Sequence, residues 1–283
     1  MVLDELDASP FAKNTVVCLW GDHGYALGDN ALFAKQANFE HATHIPFMIS
    51  VPGMKTGISH ALVEQVDLFP TLVAAATLHS SKPVAMPHCS AITQTSRGTA
   101  FCTEGASLMP ILAGGGGTTW GRGAWSQFAR SSECCDCHPQ PDPTPNKCCT
   151  CNVKLPGAGV EVVGGGNASS AVGPGVAENG HLGGDGPHPI MGYTLRVDKW
   201  RYTLWVAFNQ ASSTADFNQV FGRELYAHPE TPLPVDYGVE HFNLATSTDA
   251  TTQAIAKRLH DAIVKYAQRP DLIPPSVLAG LVP

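Results

Sequence analysis

A carboxylate and an imidazole stand side by side where an apolar run stops. The run "VVCLW" ends at Trp20 and is followed by Gly21-Asp22-His23-Gly24. Aspartate offers a hard oxygen ligand and histidine a nitrogen ligand, and adjacency lets both point at one divalent ion. The flanking glycines let the backbone turn sharply beside such an ion. Read alone, the tetrapeptide is equally a Gly-Asp-His-Gly turn that holds no ligand. A second concentration of ligand types lies downstream. Cys134, Cys135 and Cys137 form "CCDC", and Cys148, Cys149 and Cys151 form "CCTC". Paired thiolate clusters could bind zinc, although zinc sites more often space their cysteines as Cys-x-x-Cys. Disulfides in an oxidising compartment and unstructured thiols are the other readings.

The elements that must position Asp22 and His23 read as α/β. "TVVCLW" is β-branched and apolar without alternation, as expected of a strand buried on both faces of a parallel sheet. "IPFMISVPG" is a second such run, closed by Pro52-Gly53. "VEQVDLFPTLVAAATL" predicts a helix with Asp67 and Pro70 near its start and Leu72, Val73 and Ala76 on an apolar face. Strand, loop, strand, helix is the grammar of α/β proteins, and in open α/β sheets ligands bind beyond the carboxyl ends of strands. Asp22 and His23 sit at such an end.

Residues 131–188 break this pattern. They hold the cysteine clusters and a Gly-rich stretch with little to bury, and read as a long, mostly disordered insertion. Asn167-Ala168-Ser169 inside it fits a glycosylation acceptor. Order returns at "IMGYTLRVDKWRYTLWVAF". Tyr193, Leu195 and Val197 alternate, as do Tyr202, Leu204 and Val206, with Asp198-Lys199 as the turn of a hairpin. "GRELYAHPETP" reads as a third strand. "STDATTQAIAKRLHDAIVKYAQRP" reads as an amphipathic helix with cap candidates at Ser247 to Asp249 and an apolar stripe of Ile255, Leu259, Ile263 and Tyr266. The expected organisation is therefore 1–130, an α/β portion; 131–188, the insertion; and 189–283, a small antiparallel sheet packed by one helix.

Composition narrows the function classes. The chain has 283 residues and a net charge of −7, which argues against a nucleic-acid binder driven by phosphate neutralisation. No apolar run approaches the ~18–20 residues of a membrane span. The start, "MVLDELDASPFAKN", has no basic region followed by an apolar one and so does not read as a signal peptide. It reads as the end of an amphipathic helix, with Val2, Leu3 and Leu6 on one side, so the chain is expected to be a fragment.

The segment "DHGYALGDNALFAKQANFEHATHIPFMISVPG" closely resembles the sulfatases of the alkaline-phosphatase-like superfamily, in particular the iduronate-2-sulfatase-like branch. There an Asp-His-Gly closes a strand, a Leu-Gly follows, and a lysine in an "AK…NF" segment precedes "ATH-[IV]-P" and a "VPG" strand end. The likeness continues through "VEQVDLFPTL", "CTEGASLMPIL", "IMGYTLRVDKWRYTLWVAFN" and "GRELYAHPE…NLA". It covers most of the chain outside the insertion.

The resemblance implies an alkaline-phosphatase-like sheet flanked by helices and hydrolysis of sulfuric esters in sulfated carbohydrate such as glycosaminoglycan. It makes Asp22 and His23 ligands of one Ca²⁺ and Lys35 a contact to the sulfate group. A metal and a lysine would together offset negative charge on the sulfuryl oxygens and the leaving oxygen. Tyr25 stands where the branch often has tryptophan, open to either a substrate contact or a packing role. His44 is expected to be a hydrogen-bonded structural histidine. Cys89 and Cys102 flank a loop that the family often staples with a disulfide, and Cys18 is expected to be a buried free thiol. By resemblance the protein is lysosomal or extracellular.

Other family features have no counterpart. The nucleophile of these enzymes is a formylglycine made from Cys or Ser in a Cys/Ser-x-Pro-x-Arg motif, and no cysteine or serine of this chain is followed by Pro-x-Arg at that offset. The paired aspartates that complete the metal site are also missing upstream of Asp22. Ca²⁺ takes about six to eight ligands, so two residues do not suffice. The expectation is a sulfatase portion, inactive alone, that pairs with a chain carrying the N-terminal half. Two alternatives are a phosphodiesterase or phosphatase of the same superfamily and a non-catalytic binding remnant. The segment before Met191 is a natural place for substrate contacts. It holds no lysine to meet a uronate carboxylate, and Arg196 and Lys199 are the nearest basic residues.

Overall fold

The computed structural model describes residues 2–35, 37–87, 89, 102–114, 120–130, 190–228, 240–268, 275–278 and 281. The insertion, with its six clustered cysteines and Asn167, lies outside them. In chain order the elements are α1 (Val2–Asp7), β1 (Val17–Trp20), β2 (Ala26–Leu27), β3 (Phe33–Ala34), the single turn α2 (Glu40–Thr43), β4 (Phe47–Ser50), α3 (Leu68–Ala76) and α4 (Met109–Ala113). Then come β5 (Ala124–Arg130), β6 (Ile190–Val197), β7 (Trp200–Asn209), β8 (Thr214–Ala227) and α5 (Ala250–Tyr266). They pack into two compact units. The first comprises residues 1–21, 46–124 and 278–283; the second comprises 22–45 and 125–277.

In the first unit β1 pairs with β4, and the pairing is antiparallel, with Val17 opposite Ser50 and Trp20 opposite Phe47. This corrects the expectation of a strand buried in a parallel sheet. Leu19 is 58% exposed, and Trp20 and Met48 are exposed as well. A continuous apolar run says that both faces suit burial; it does not fix the direction of the partner strand. Among the described residues β4 is the one strand that pairs with β1.

The predicted helix forms as α3, entered through a 3-10 turn at Gln65–Asp67 with a reciprocal capping box between Glu64 and Asp67. Asp67 is fully buried and satisfied. Its Oδ1 accepts from the Ala106 N–H at 2.7 Å and from Arg122 at 3.3 Å, and its Oδ2 from the Glu64 N–H at 2.9 Å. Thr71 Oγ1 donates to the Asp67 carbonyl at 2.6 Å and accepts the Leu108 N–H at 2.8 Å. The buried side of α3 therefore runs through Pro70, Thr71 and Ala75, while Ala76, expected inside, is exposed. Cys89 and Cys102 are disulfide-bonded with their Cα atoms 4.9 Å apart. Cys18 is a half-buried free thiol whose pKa burial pushes up.

In the second unit the four strands run in the order β5-β6-β7-β8. The predicted hairpin forms in the predicted register: Val197 faces Trp200 across the two-residue turn, and Leu195 faces Tyr202. The third strand extends from Thr214, well before "GRELYA", and bulges against Val206. The fourth strand, β5, was not foreseen.

The period-2 alternation sorts side chains onto two faces. Leu195, Tyr202, Leu204 and Leu225 point one way. On that side α5 brings Leu259 and Ile263 into full burial, worth about 1.5–3 kcal/mol for each side chain. Tyr202 meets His260 of α5 edge-on at 6.2 Å. Burial pushes the Tyr202 phenol up to about 12. The N-terminus of α5 is capped by Asp249, whose Oδ2 accepts the Thr252 N–H at 2.7 Å.

Arg196, Arg201, Thr203 and Tyr226 point the other way, toward the segment 26–44. There Ala26, Leu32, Ala37, Phe39 and Ala42 gather with Tyr226 in one apolar cluster. Asn38 Nδ2 donates to the Gly192 carbonyl at 3.2 Å, tying this segment to β6. Among the described residues no helix is long and apolar enough to cross a membrane.

Candidate functional site

Asp22, His23 and Lys35 come together in the second unit. The His23 N–H donates to Asp22 Oδ1 at 3.0 Å, so the carboxylate folds back over its neighbour. His23 Nδ1 is 2.9 Å from the Gly24 carbonyl oxygen. A carbonyl can only accept, so Nδ1 carries the proton and Nε2 presents its lone pair. His23 Nε2 lies 2.6 Å from Lys35 Nζ and 3.2 Å from Asp22 Oδ2. Carboxylate, imidazole and ammonium thus converge on one point. The point is open: the side chains of Asp22 and His23 are 84% and 33% exposed.

The local sequence explains the convergence. Ala26 pairs with Ala34 and Leu27 with Phe33, which folds the chain back so that Lys35, twelve residues on, returns to His23. Gly28 turns this hairpin at φ 123°, in the left-handed region. Gly24 is required for a different reason. Its N–H donates to the Ala42 carbonyl at 2.9 Å, and a Cβ there would stand 1.9 Å from the His41 carbonyl oxygen. The loop carrying Asp22 and His23 therefore lies backbone against backbone on α2.

The donor set fits a divalent cation in part. A metal-binding histidine ordinarily gives its other ring N–H to a carbonyl or carboxylate, and His23 does so through Nδ1. Asp22 adds a hard oxygen beside it. Further ligands would have to come from elsewhere for a cation such as Ca²⁺.

The other sequence candidates stand apart from this point. Tyr25 is exposed at the start of β2. Arg196 is committed elsewhere: its Nη1 donates to the Asp198 carbonyl at 2.8 Å and to the Val197 carbonyl, and its Nε lies 3.5 Å from Glu40 Oε2. His44 Nδ1 pairs with Glu40 Oε1 at 3.1 Å, a structural contact.

A second charged cluster has no signal in the local sequence. Arg201 on β7 is buried and donates through Nε to Glu240 Oε1 and through Nη2 to Glu40 Oε2. The same Nη2 reaches Thr43 Oγ1 at 3.2 Å. Glu240 Oε2 accepts the backbone N–H of Glu40 at 2.6 Å, and Glu240 Oε1 meets His228 Nε2 at 2.9 Å. Burial by itself would raise both carboxyls. Instead, the His44 hydrogen bond and the Arg201 and Arg196 charges hold Glu40 well below the usual carboxylate range, and Arg201 and His228 hold Glu240 down. Glu40, His228 and Glu240 offer ligand atoms within 4.8 Å of one another, but the Arg201 guanidinium already supplies the positive charge there.

The sulfatase family model matches residues 1–78, the stretch that contains Asp22, His23, Lys35 and Glu40. Beyond it, the chain is 26% identical to human iduronate 2-sulfatase and 29% identical to the mouse protein, in each case over 82% of its length. Over these stretches the chain is similar to sulfatases. A shorter stretch of 80 residues is 44% identical to a sulfatase of Formosa agariphila, covering 28% of this chain and 16% of that protein. The likeness to the two iduronate 2-sulfatases extends over 269 and 262 residues. The chain spans 40% of the human protein and 39% of the mouse protein.

Proposed function

We propose that this chain supplies part of the active site of a sulfuric ester hydrolase acting on sulfated carbohydrate, in the manner of the iduronate 2-sulfatases. The observation that carries the reading is the convergence of Asp22 Oδ2, His23 Nε2 and Lys35 Nζ on one exposed point. Asp22 and His23 hold one Ca²⁺. When bound, the ion supplies positive charge that offsets charge on the sulfuryl oxygens. Lys35 places an ammonium at the same point, where its N–H groups donate to sulfate oxygens. The Gly24 carbonyl fixes the His23 tautomer, so the imidazole presents its lone pair without reorganising. Tyr25, exposed two residues after His23 in the sequence, is assigned a substrate contact.

The formylglycine nucleophile has no motif in residues 1–283. In this reading residues 1–130 belong to the catalytic domain and 189–283 to a C-terminal subdomain. A chain carrying the N-terminal half brings the nucleophile and the remaining metal ligands, and the product acts in the lysosome or outside the cell.

Calcium titration of the purified chain, followed by terbium luminescence, tests the metal assignment. Binding that is weak in the wild type and lost in both Asp22→Ala and His23→Ala is expected. Binding unchanged in both variants would overturn it. Assayed alone on an aryl sulfate, the chain is expected to show no turnover above background.

A further inference from the structure

We propose that Arg201, Glu40 and Glu240 are positioning residues for the Asp22–His23 loop: a buried clasp that sets, through α2, where the His23 imidazole stands. The inference rests on the metal and sulfate roles proposed above for that loop, and it concerns residues far from it in the sequence.

The mechanical path is short and made of direct contacts. His23 is bonded to its neighbour Gly24, and Gly24 docks on α2 through its N–H to the Ala42 carbonyl at 2.9 Å. The approach is too close to admit any side chain, because the obstacle is the His41 carbonyl. So the loop follows α2 wherever α2 goes. A single turn of four residues has no stability of its own. What holds it is the clasp. One oxygen of Glu240 accepts the Glu40 N–H at 2.6 Å, and the other accepts from Arg201 and meets His228 at 2.9 Å. Arg201 in turn grips the two ends of α2, through the Glu40 carboxylate and through Thr43 Oγ1 at 3.2 Å. Arg201 sits on β7, the central pair of the sheet, so α2 is referenced to the most buried part of the unit.

An apolar trio of the same volume would stabilise this unit as well as buried ions do. It would not fix orientation. Directional hydrogen bonds to both ends of one turn do, and a site held within about 0.5 Å needs such support. Loss of a partner hydrogen-bonded directly to a metal ligand costs about 10- to 100-fold in metal affinity, and the clasp, one step further out through α2, is expected at the low end.

The test uses the full 283-residue chain with ¹⁵N-labelled histidine. Long-range ¹H–¹⁵N spectra read the tautomer of each imidazole. In the wild type His23 is expected to show a protonated Nδ1 and a free Nε2. In Glu40→Gln its pattern should move toward a mixture of tautomers. His260, against Tyr202 on the opposite face of the sheet, should keep its signals. The terbium dissociation constant should rise about 10-fold. A His23 pattern identical to wild type in a folded Glu40→Gln chain overturns the proposal, because a purely structural clasp would lower stability without moving that imidazole. If Glu40→Gln does not fold, Thr43→Val removes one Arg201 contact and leaves both ion pairs; an unmoved His23 there overturns the proposal equally. His23→Ala separates the two readings: unchanged terbium binding in that variant refutes the metal assignment, while the tautomer shift still decides the clasp.

Discussion

Two clusters in the second unit contain the same chemical types, carboxylate, imidazole and cationic side chain, and put them to opposite use. In the open cluster Asp22 is 84% exposed and His23 turns Nε2 toward Lys35. In the closed cluster Glu240 and Arg201 are 1% and 3% exposed, and both Glu240 oxygens and Arg201 Nε and Nη2 are met by partners inside the protein. Water screens the first, so its contacts contribute little to stability and its acceptors remain available to a ligand. Exclusion of water makes the second strong, specific and unavailable. What distinguishes a site from a strut here is where the neutralising charge comes from.

The largest effect is expected where that charge is removed from the closed cluster. Arg201→Met removes the buried guanidinium that Glu40 and Glu240 share and should cost about 3–5 kcal/mol, read by urea unfolding. A loss below about 1 kcal/mol would erase the contrast. Acid should act in the same direction. The folded-state pKa values of Glu40 and Glu240 are depressed, so the stability they add is fully present above the unfolded carboxylate pKa of about 4.3 and is lost as pH falls through the folded values. Unfolding free energy should therefore decline below about pH 5, and Glu240→Gln should flatten that decline. The smallest effect is expected in the open cluster. Asp22→Ala, His23→Ala and Lys35→Ala should each change stability by no more than about 0.5 kcal/mol. Lys35→Ala should nonetheless weaken binding of inorganic sulfate, measured by calorimetry.

The same contrast explains what could be read from the sequence. Asp22 and His23 are adjacent, and Lys35 follows twelve residues later within one recognisable stretch, so the open cluster was legible as a set. The hairpin was legible because Tyr193 to Val197 and Tyr202 to Val206 alternate around a two-residue turn. The closed cluster was not. Glu40 and Arg201 are 161 residues apart and Arg201 and Glu240 are 39 apart, with no periodicity linking them. Arg201 sits inside an apolar strand, where a lone charge reads as outward-facing, and only the packing of segment 26–44 over that face makes it internal. β5 escaped for a related reason. It follows a Gly-rich stretch, its residues are half-buried or exposed, and its last residue, Arg130, stacks over Trp205 at 3.5 Å. The direction of β1 was misjudged because uniform hydrophobicity carries no information on pairing.

The contact at Gly24 limits how this protein can change. Elsewhere a larger residue can be accommodated by trimming a neighbour, since side chains meet side chains. At Gly24 the neighbour is the main chain of His41, which every amino acid possesses. No second substitution can shave it back. The position is a fixed tolerance in the assembly: variation in the Asp22–His23 loop must fall on the solvent side, and any chain that alters the residue after His23 must rebuild α2 as well.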